Sequence, residues 1–207
     1  VMNGQQHDIV IVGGGLIGLS LAAALGNSRL SVAVMDAGPE PTLPESAVDP
    51  VATGVSLASG VPPRVSAINP ASKEFLQRVG GWPESNASAF GAMHVCDSRG
   101  SGSIHFDAES IGEEALGYIV PNAAIQHALA TSIEASRATC LFNAEIDRIE
   151  RINSGYALMV KGGETMRASV LVGADGGNSI VRKACGIRSL SRRCLLYTSD
   201  AADEVVG

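Results

Sequence analysis

The sequence predicts an α/β fold, and three observations carry the prediction. A short apolar, β-branched run, Asp8 to Val12, meets three consecutive glycines, Gly13 to Gly15. A small-residue helical stretch, Leu16 to Leu25, follows, and a second apolar strand, Leu30 to Met35, ends at Asp36. Far downstream the same order returns in LVGADGGNSIVRKACGI, Leu171 to Ile187: strand, glycine-rich turn, helix. Short continuous apolar runs read as strands buried on both faces, and strand, helix and strand joined by short loops make a β-α-β unit.

The elements between follow in order. From Pro39 to Pro63 the chain is rich in Pro, Gly, Ser and Ala without a period, which reads as a long loop. Periodicity returns at Arg64 to Ile68, and Asn69-Pro70 reads as an N-cap with Pro at the first helical position, opening a helix through Val79. Met93 to Val95, Ser103 to Phe106 and Gly117 to Val120 read as short strands, and the alternation in SIHFDA points to a half-exposed antiparallel sheet. Asn122 is expected to cap a helix running to about Ser136. Leu141 to Asn143, Glu145 to Ile152, Tyr156 to Val160 and Thr165 to Val172 read as strands, joined in part by NSG and KGGE turns. The expected division is a nucleotide-binding domain over 1–187, with strands of a second sheet inserted at about 84–120. The tail, 188–207, continues no pattern before it and reads as unrelated sequence, such as read-through from a shifted or truncated frame.

Composition excludes several classes. With 45% hydrophobic and 17% charged residues the chain is globular, and a net charge of -6 argues against a nucleic-acid surface. Cys96, Cys140, Cys185 and Cys194 form no C-x-x-C, and His7, His94, His105 and His127 are scattered, so neither a disulfide framework nor a metal site is expected. No apolar run reaches membrane-spanning length, and the start, VMNGQQHD, has neither a basic nor an apolar leader segment, so the expected place is the cytoplasm.

Gly13-Gly14-Gly15-Leu16-Ile17-Gly18 fits G-x-G-x-x-G, the turn of a Rossmann-like fold. Gly13 allows the tight turn, Gly15 lets the backbone approach a diphosphate, and Gly18 lets the helix pack on the strand. The N–H groups opening that helix, at Leu16 and Ile17, meet an anion with a partial positive charge. Asp36 stands where a ribose-hydroxyl acceptor belongs, and its charge disfavours a 2′-phosphate, leaving FAD or NAD. A simple NAD domain would continue with further βα units, whereas this chain detours through a loop, a helix and a meander, as flavoproteins do. In the second glycine turn, Asp175 can accept from ribose hydroxyls or reach phosphates through water, and Ser179 can cap the helix carrying Arg182. Alternatively Asp175 and Asn178 only cap and shape that turn.

Together with RVSAINPASKEFLQRVGGW, GYIVPNAAIQHAL and LVGADGGNSIVRKACGI, the glycine turn and Asp36 resemble the single-component FAD-dependent aromatic hydroxylases of the para-hydroxybenzoate hydroxylase type, and within them the ubiquinone-biosynthesis branch. The resemblance covers nearly all of 8–187. It implies that Gly13, Gly15 and Gly18 hold the FAD diphosphate and Asp36 the adenosine ribose. It also implies that Arg64 lies near the cofactor, and that Asn122 and Gln126 lie close to the ribityl and phosphate region. Asp175 would serve both FAD and a visiting NADPH or NADH, and Arg182 would support its turn. The implied activity is hydroxylation of a small apolar aromatic substrate, a prenylated phenol, with NAD(P)H and O2. Peripheral membrane or biosynthetic-complex association is implied too, at the inner membrane. Two departures stand out: Pro121 and Ala123 replace an acid and an arginine common in relatives, and the later GD motif and the rest of the substrate sheet, the C-terminal half, are missing. The competing readings are another flavin oxidoreductase, an NAD-linked dehydrogenase, or an FAD-binding fragment without activity.

Overall fold

The second half of β1 (Gln5–Val12), Ile9 to Val12, alternates its side chains between two cores, which is why that stretch is continuously apolar rather than alternating. The structure, a computed structural model, describes residues 5–43, 64–97 and 100–190. Ile11 faces α1 (Leu16–Leu25), together with Val32 and Val34 of β2 (Val32–Met35). Val10 and Val12 face the other way. The β-α-β unit therefore forms as its sequence pattern requires, the first helix having the predicted limits.

The chain next builds β3 (Val65–Ile68) and α2 (Pro70–Arg78). Asn69 caps α2 by accepting from the Ser72 N–H at 2.7 Å, with Pro70 at the first position, as predicted. β4 (Ser88–Phe90), which the sequence did not announce, precedes β5 (Ala92–Cys96) and β6 (Ser103–Asp107). β7 (Gly117–Pro121) pairs antiparallel with both β3 and β4. Lys73 donates to the Tyr118 hydroxyl at 2.9 Å, and Trp82 meets the Tyr118 ring edge-on, so α2 is tied to β7.

β5 and β6 form a separate two-stranded ladder. The expectation of a half-exposed sheet needs correction. Both strands are exposed nearly throughout, because among the described residues no element covers the face carrying Met93 opposite Phe106 and Val95 opposite Ile104.

α3 (Asn122–Glu134) joins α1 and Leu76 of α2 in the first core, burying Ile125, Leu129 and Ile133 against Leu19 and Val34. Its cap also corrects the expectation. Pro121, in extended backbone, is the N-cap, and Asn122 is already helical. The Asn122 side chain accepts instead from the Ser66 hydroxyl at 2.6 Å, while its N–H donates to the Arg64 carbonyl at 2.9 Å. The next strand is β8 (Thr139–Leu141), earlier than predicted. Pairing with β2 fixes it there, and Asn143, at φ 56°, has left extended backbone.

β9 (Ile146–Ile152), β10 (Gly155–Val160) and β11 (Thr165–Gly173) form the meander, and β11 returns to lie parallel beside β1. The six-stranded sheet runs β8-β2-β1-β11-β10-β9, parallel on one side and antiparallel in the meander. Its second core joins Val10, Val12 and Met35 to Leu158, Met166 and Val181, the last from α4 (Ile180–Ala184). Of the long-loop reading, 44–63 lies outside the described residues, as does 191–207 of the tail. No helix among the described residues is long and apolar enough to cross a membrane.

Candidate functional site

β1 sits between β2, reached through α1, and β11, which arrives from the meander. Such a reversal of strand order leaves a crevice outside the carboxyl ends of the strands. A cavity of about 510 Å³ lies there, lined by Gly13, Gly15, Asp36, Ala174 and Asp175 among others. The glycine turn, the acid ending β2 and the acid following β11 are thus brought to one cleft although they are far apart in sequence.

The motif glycines are glycine for different reasons. Gly13 has φ 112°, and a Cβ there would overlap the Ala174 carbonyl; a Cβ on Gly18 would overlap the Gly13 carbonyl. The fold itself demands both. Gly15 has φ -74°, open to any residue, and a Cβ there would meet nothing within 4 Å. Among the described residues nothing requires glycine at 15; the open space lies at the cleft that Gly15 lines. Gly15 is also the N-cap of α1 and offers no side-chain cap, the first bond inside the helix being Leu19 N–H to the Gly15 carbonyl at 3.0 Å. The opening N–H groups, Leu16 and Ile17 included, therefore have no acceptor within the helix. Leu16 packs toward the first core and Ile17 is exposed. A turn with a cradle that a Cβ would fill, and with helix-opening donors beside it that have no acceptor within the helix, fits a diphosphate.

Asp36 is held from two sides. One carboxylate oxygen accepts from the Gly14 N–H at 2.5 Å and the other from the Gly38 N–H at 2.7 Å. A carboxylate has about four lone-pair sites, so each oxygen keeps one for a hydroxyl partner. Gln126, on α3, donates from Nε2 to the Gly14 carbonyl at 3.3 Å. Asn122 is turned to Ser66, and Arg64 is an exposed residue at the start of β3; neither lines the cleft described above.

Asp175 lines the cleft yet spends its oxygens on its own turn. Ser179 donates to one at 2.5 Å and the Ile180 N–H to the other at 2.6 Å, with Val181 N–H at 3.4 Å. Ser179 in turn caps α4 by accepting from the Arg182 N–H at 3.0 Å, and Arg182 Nη2 donates to the Gly177 carbonyl at 2.6 Å. Burial raises the Asp175 carboxyl, and the bonds from Ser179, Ile180 and Val181 outweigh that and hold it below the usual carboxylate value. A depressed value means the ionised form stabilises the fold above the unfolded value, about 3.9, and that stabilisation is lost as pH falls through the folded one. Asp175→Asn is therefore expected to lower stability at pH 7 by about 1 kcal/mol, a typical cap's worth. The gap between the two proteins should close on acidification below the ordinary carboxylate range, read by urea unfolding across pH. An equal gap at every pH would remove the charge from the account.

Sequence reasoning missed the far wall of the cleft, Ala144, Glu145 and Ile146, where β8 passes to β9. Glu145 is paired with Lys161 at 2.6 Å. A charged residue opening an alternating strand carries no signal that marks it as cleft-lining.

Fold and cleft together define a Rossmann-like dinucleotide-binding protein, and residues 11–62 match the NAD(P)-binding Rossmann-like domain. More specifically, the chain belongs to the FAD binding domain family, which matches residues 55–203. It is similar to the human mitochondrial ubiquinone biosynthesis monooxygenase COQ6, 32% identical over 89% of this chain and 40% of that protein. It is also similar to 3-demethoxyubiquinol 3-hydroxylase of Escherichia coli, 33% identical over 90% of this chain and 45% of that one. The chain thus spans less than half the length of these relatives. Among solved structures, PqsL, a probable FAD-dependent monooxygenase from Pseudomonas aeruginosa, superposes with a TM-score of 0.67 at 20% identity, over 92% of this chain and 48% of that one, and so shares the fold.

Proposed function

We propose that this chain seats the ADP half of FAD in an aromatic-ring hydroxylase that acts on a prenylated phenol of ubiquinone biosynthesis with NADPH or NADH and O2. The observation that carries it is Gly15: the fold leaves the residue free, and a diphosphate beside it does not. The names of the relatives support the reaction and substrate class. FAD, when bound, supplies the redox chemistry, taking a hydride equivalent from the nicotinamide and activating O2. The chain's own residues bind and orient it. Gly13 shapes the turn, Gly15, Leu16 and Ile17 present N–H groups to the diphosphate, and Gly18 brings the helix close. Asp36 takes the adenosine ribose. Arg64 lies near the cofactor and Asn122 close to its ribityl and phosphate region, and Asp175, braced by Arg182, serves FAD and the visiting nicotinamide nucleotide.

The domain assignment belongs to the same proposal: residues 1–187 form the start of the FAD domain, and the strands at about 84–120 the start of a substrate sheet. An apolar prenylated phenol resides in a membrane, so a cytoplasmic protein peripheral to the inner membrane, alone or in a biosynthetic complex, fits the substrate.

The test is flavin retention. The purified chain, mixed with FAD and desalted, is expected to stay yellow. Asp36→Ala loses two charge-assisted partners of the ribose, each worth about 1.5–3 kcal/mol, and should weaken FAD by about a hundredfold or more. Unchanged affinity in that variant would remove Asp36 from the ribose.

A further inference from the structure

We propose that Gln126 is a positioning residue for the diphosphate: it aims the Gly15 N–H by gripping the Gly14 carbonyl, rather than by touching the cofactor. The inference rests on the reading of the glycine turn as the FAD seat.

The geometry runs through one residue. Gly14 is buried, and its two backbone polar groups are both taken by side chains from other elements. Asp36, at the end of β2, accepts from its N–H at 2.5 Å. Gln126, in α3, donates to its carbonyl at 3.3 Å. A peptide is planar and trans, so its C=O and the following N–H point in opposite directions. Holding the Gly14 carbonyl against α3 therefore fixes the Gly15 N–H on the other side. Without that grip the Gly14–Gly15 peptide could rotate about its flanking bonds, since Gly15 itself meets no steric wall.

α3, which carries Gln126, is itself anchored at its start. Asn122 is joined to β3 by the Ser66 hydroxyl at 2.6 Å and the Arg64 carbonyl at 2.9 Å. One residue beyond Gln126, the His127 ring lies 3.2 Å from the Pro41 carbonyl, so the chain leaving β2 is held to the same helix turn. α3 thus transmits the placement of β3 to the glycine turn. Resemblance put Gln126 near ribityl and phosphate; the bond it makes assigns it to the backbone instead.

The two roles separate with ADP and adenosine as probes, because ADP carries the diphosphate without the flavin or ribityl chain, and adenosine carries neither. Gln126→Met keeps the side chain's length and removes the donor; Gln126→Ala is the second variant, with thermal melting as the check on folding. Both are expected to bind ADP about three- to tenfold more weakly, as the loss of one neutral hydrogen bond implies, with adenosine affinity unchanged. The ratio of ADP to adenosine affinity is the readout that a merely structural role would leave alone. Equal losses for ADP and adenosine would overturn the proposal, and so would unchanged ADP binding with weakened FAD binding, which would put Gln126 on the ribityl chain. Failure of the unmutated chain to bind ADP at all would instead overturn the FAD seat on which the proposal rests.

Discussion

Gly13→Ala is expected to cost the fold roughly 2 to 6 kcal/mol. Two terms add at that position. Backbone at φ 112° is strained for any residue with a Cβ, at about 1–3 kcal/mol. The added methyl would also overlap the Ala174 carbonyl, a backbone atom that cannot rotate away, and overpacking of that kind costs about 1–3 kcal/mol. Relief would require β11 to slide along β1. The two strands are in parallel register from Gln5 opposite Met166 to Val12 opposite Gly173, with the Ala174 N–H bonded to the Val12 carbonyl at 2.7 Å. Domains of this size carry only about 5–15 kcal/mol in total, so the variant should unfold at markedly lower urea, with its nucleotide binding lost as a consequence. A variant as stable as the parent would show that the turn is not built as described.

Gly15→Val, two positions away, is expected to do the reverse. The residue has an ordinary φ of -74° and open space where a side chain would go, so the stability loss should stay near about 1 kcal/mol, the cost of a less favourable N-cap residue. The added isopropyl group would occupy the cleft beside the first N–H groups of α1. Crowding worth about 1–3 kcal/mol corresponds to a loss of about five- to 150-fold in FAD affinity. Urea unfolding and an FAD titration on the same preparation give both numbers. Undiminished FAD binding in a folded Gly15→Val protein would remove the diphosphate from this turn.

The contrast between these two glycines shows how far the sequence could be read. The hexapeptide predicts that three glycines are needed, and its spacing relative to Asp36 predicts one cleft; the crevice holds both. Continuous apolar runs identified β1 and β2 because burial on two faces leaves no alternation to misread. Asn69 and Ser179 were legible as caps because their side chains accept from the N–H three residues on, the interaction the rule describes. Asn122 was misread by the same rule. Its side chain had a better donor in Ser66, on a strand distant in sequence, and no local pattern announces such a partner. β8 was displaced for a related reason, since its limits are set by pairing with β2.

The β5–β6 ladder is a different kind of miss. Alternation in SIHFDA correctly indicated a strand with one apolar face, and Phe106 and Ile104 do share that face with Met93 and Val95. Alternation cannot say whether another element covers it. In the second glycine turn, the sequence left two roles open for Asp175. The structure shows the capping bonds in full and places the residue at the cleft, so the local role is visible and the cofactor role remains part of the proposal.

The central claim is that this chain seats the adenosine diphosphate end of FAD. The most direct measurement is a titration of FAD into the 207-residue chain, followed by flavin fluorescence, with ADP and FMN as competitors. ADP is expected to displace FAD while FMN, which lacks the adenosine half, does not. Displacement by FMN with no effect of ADP would contradict the account.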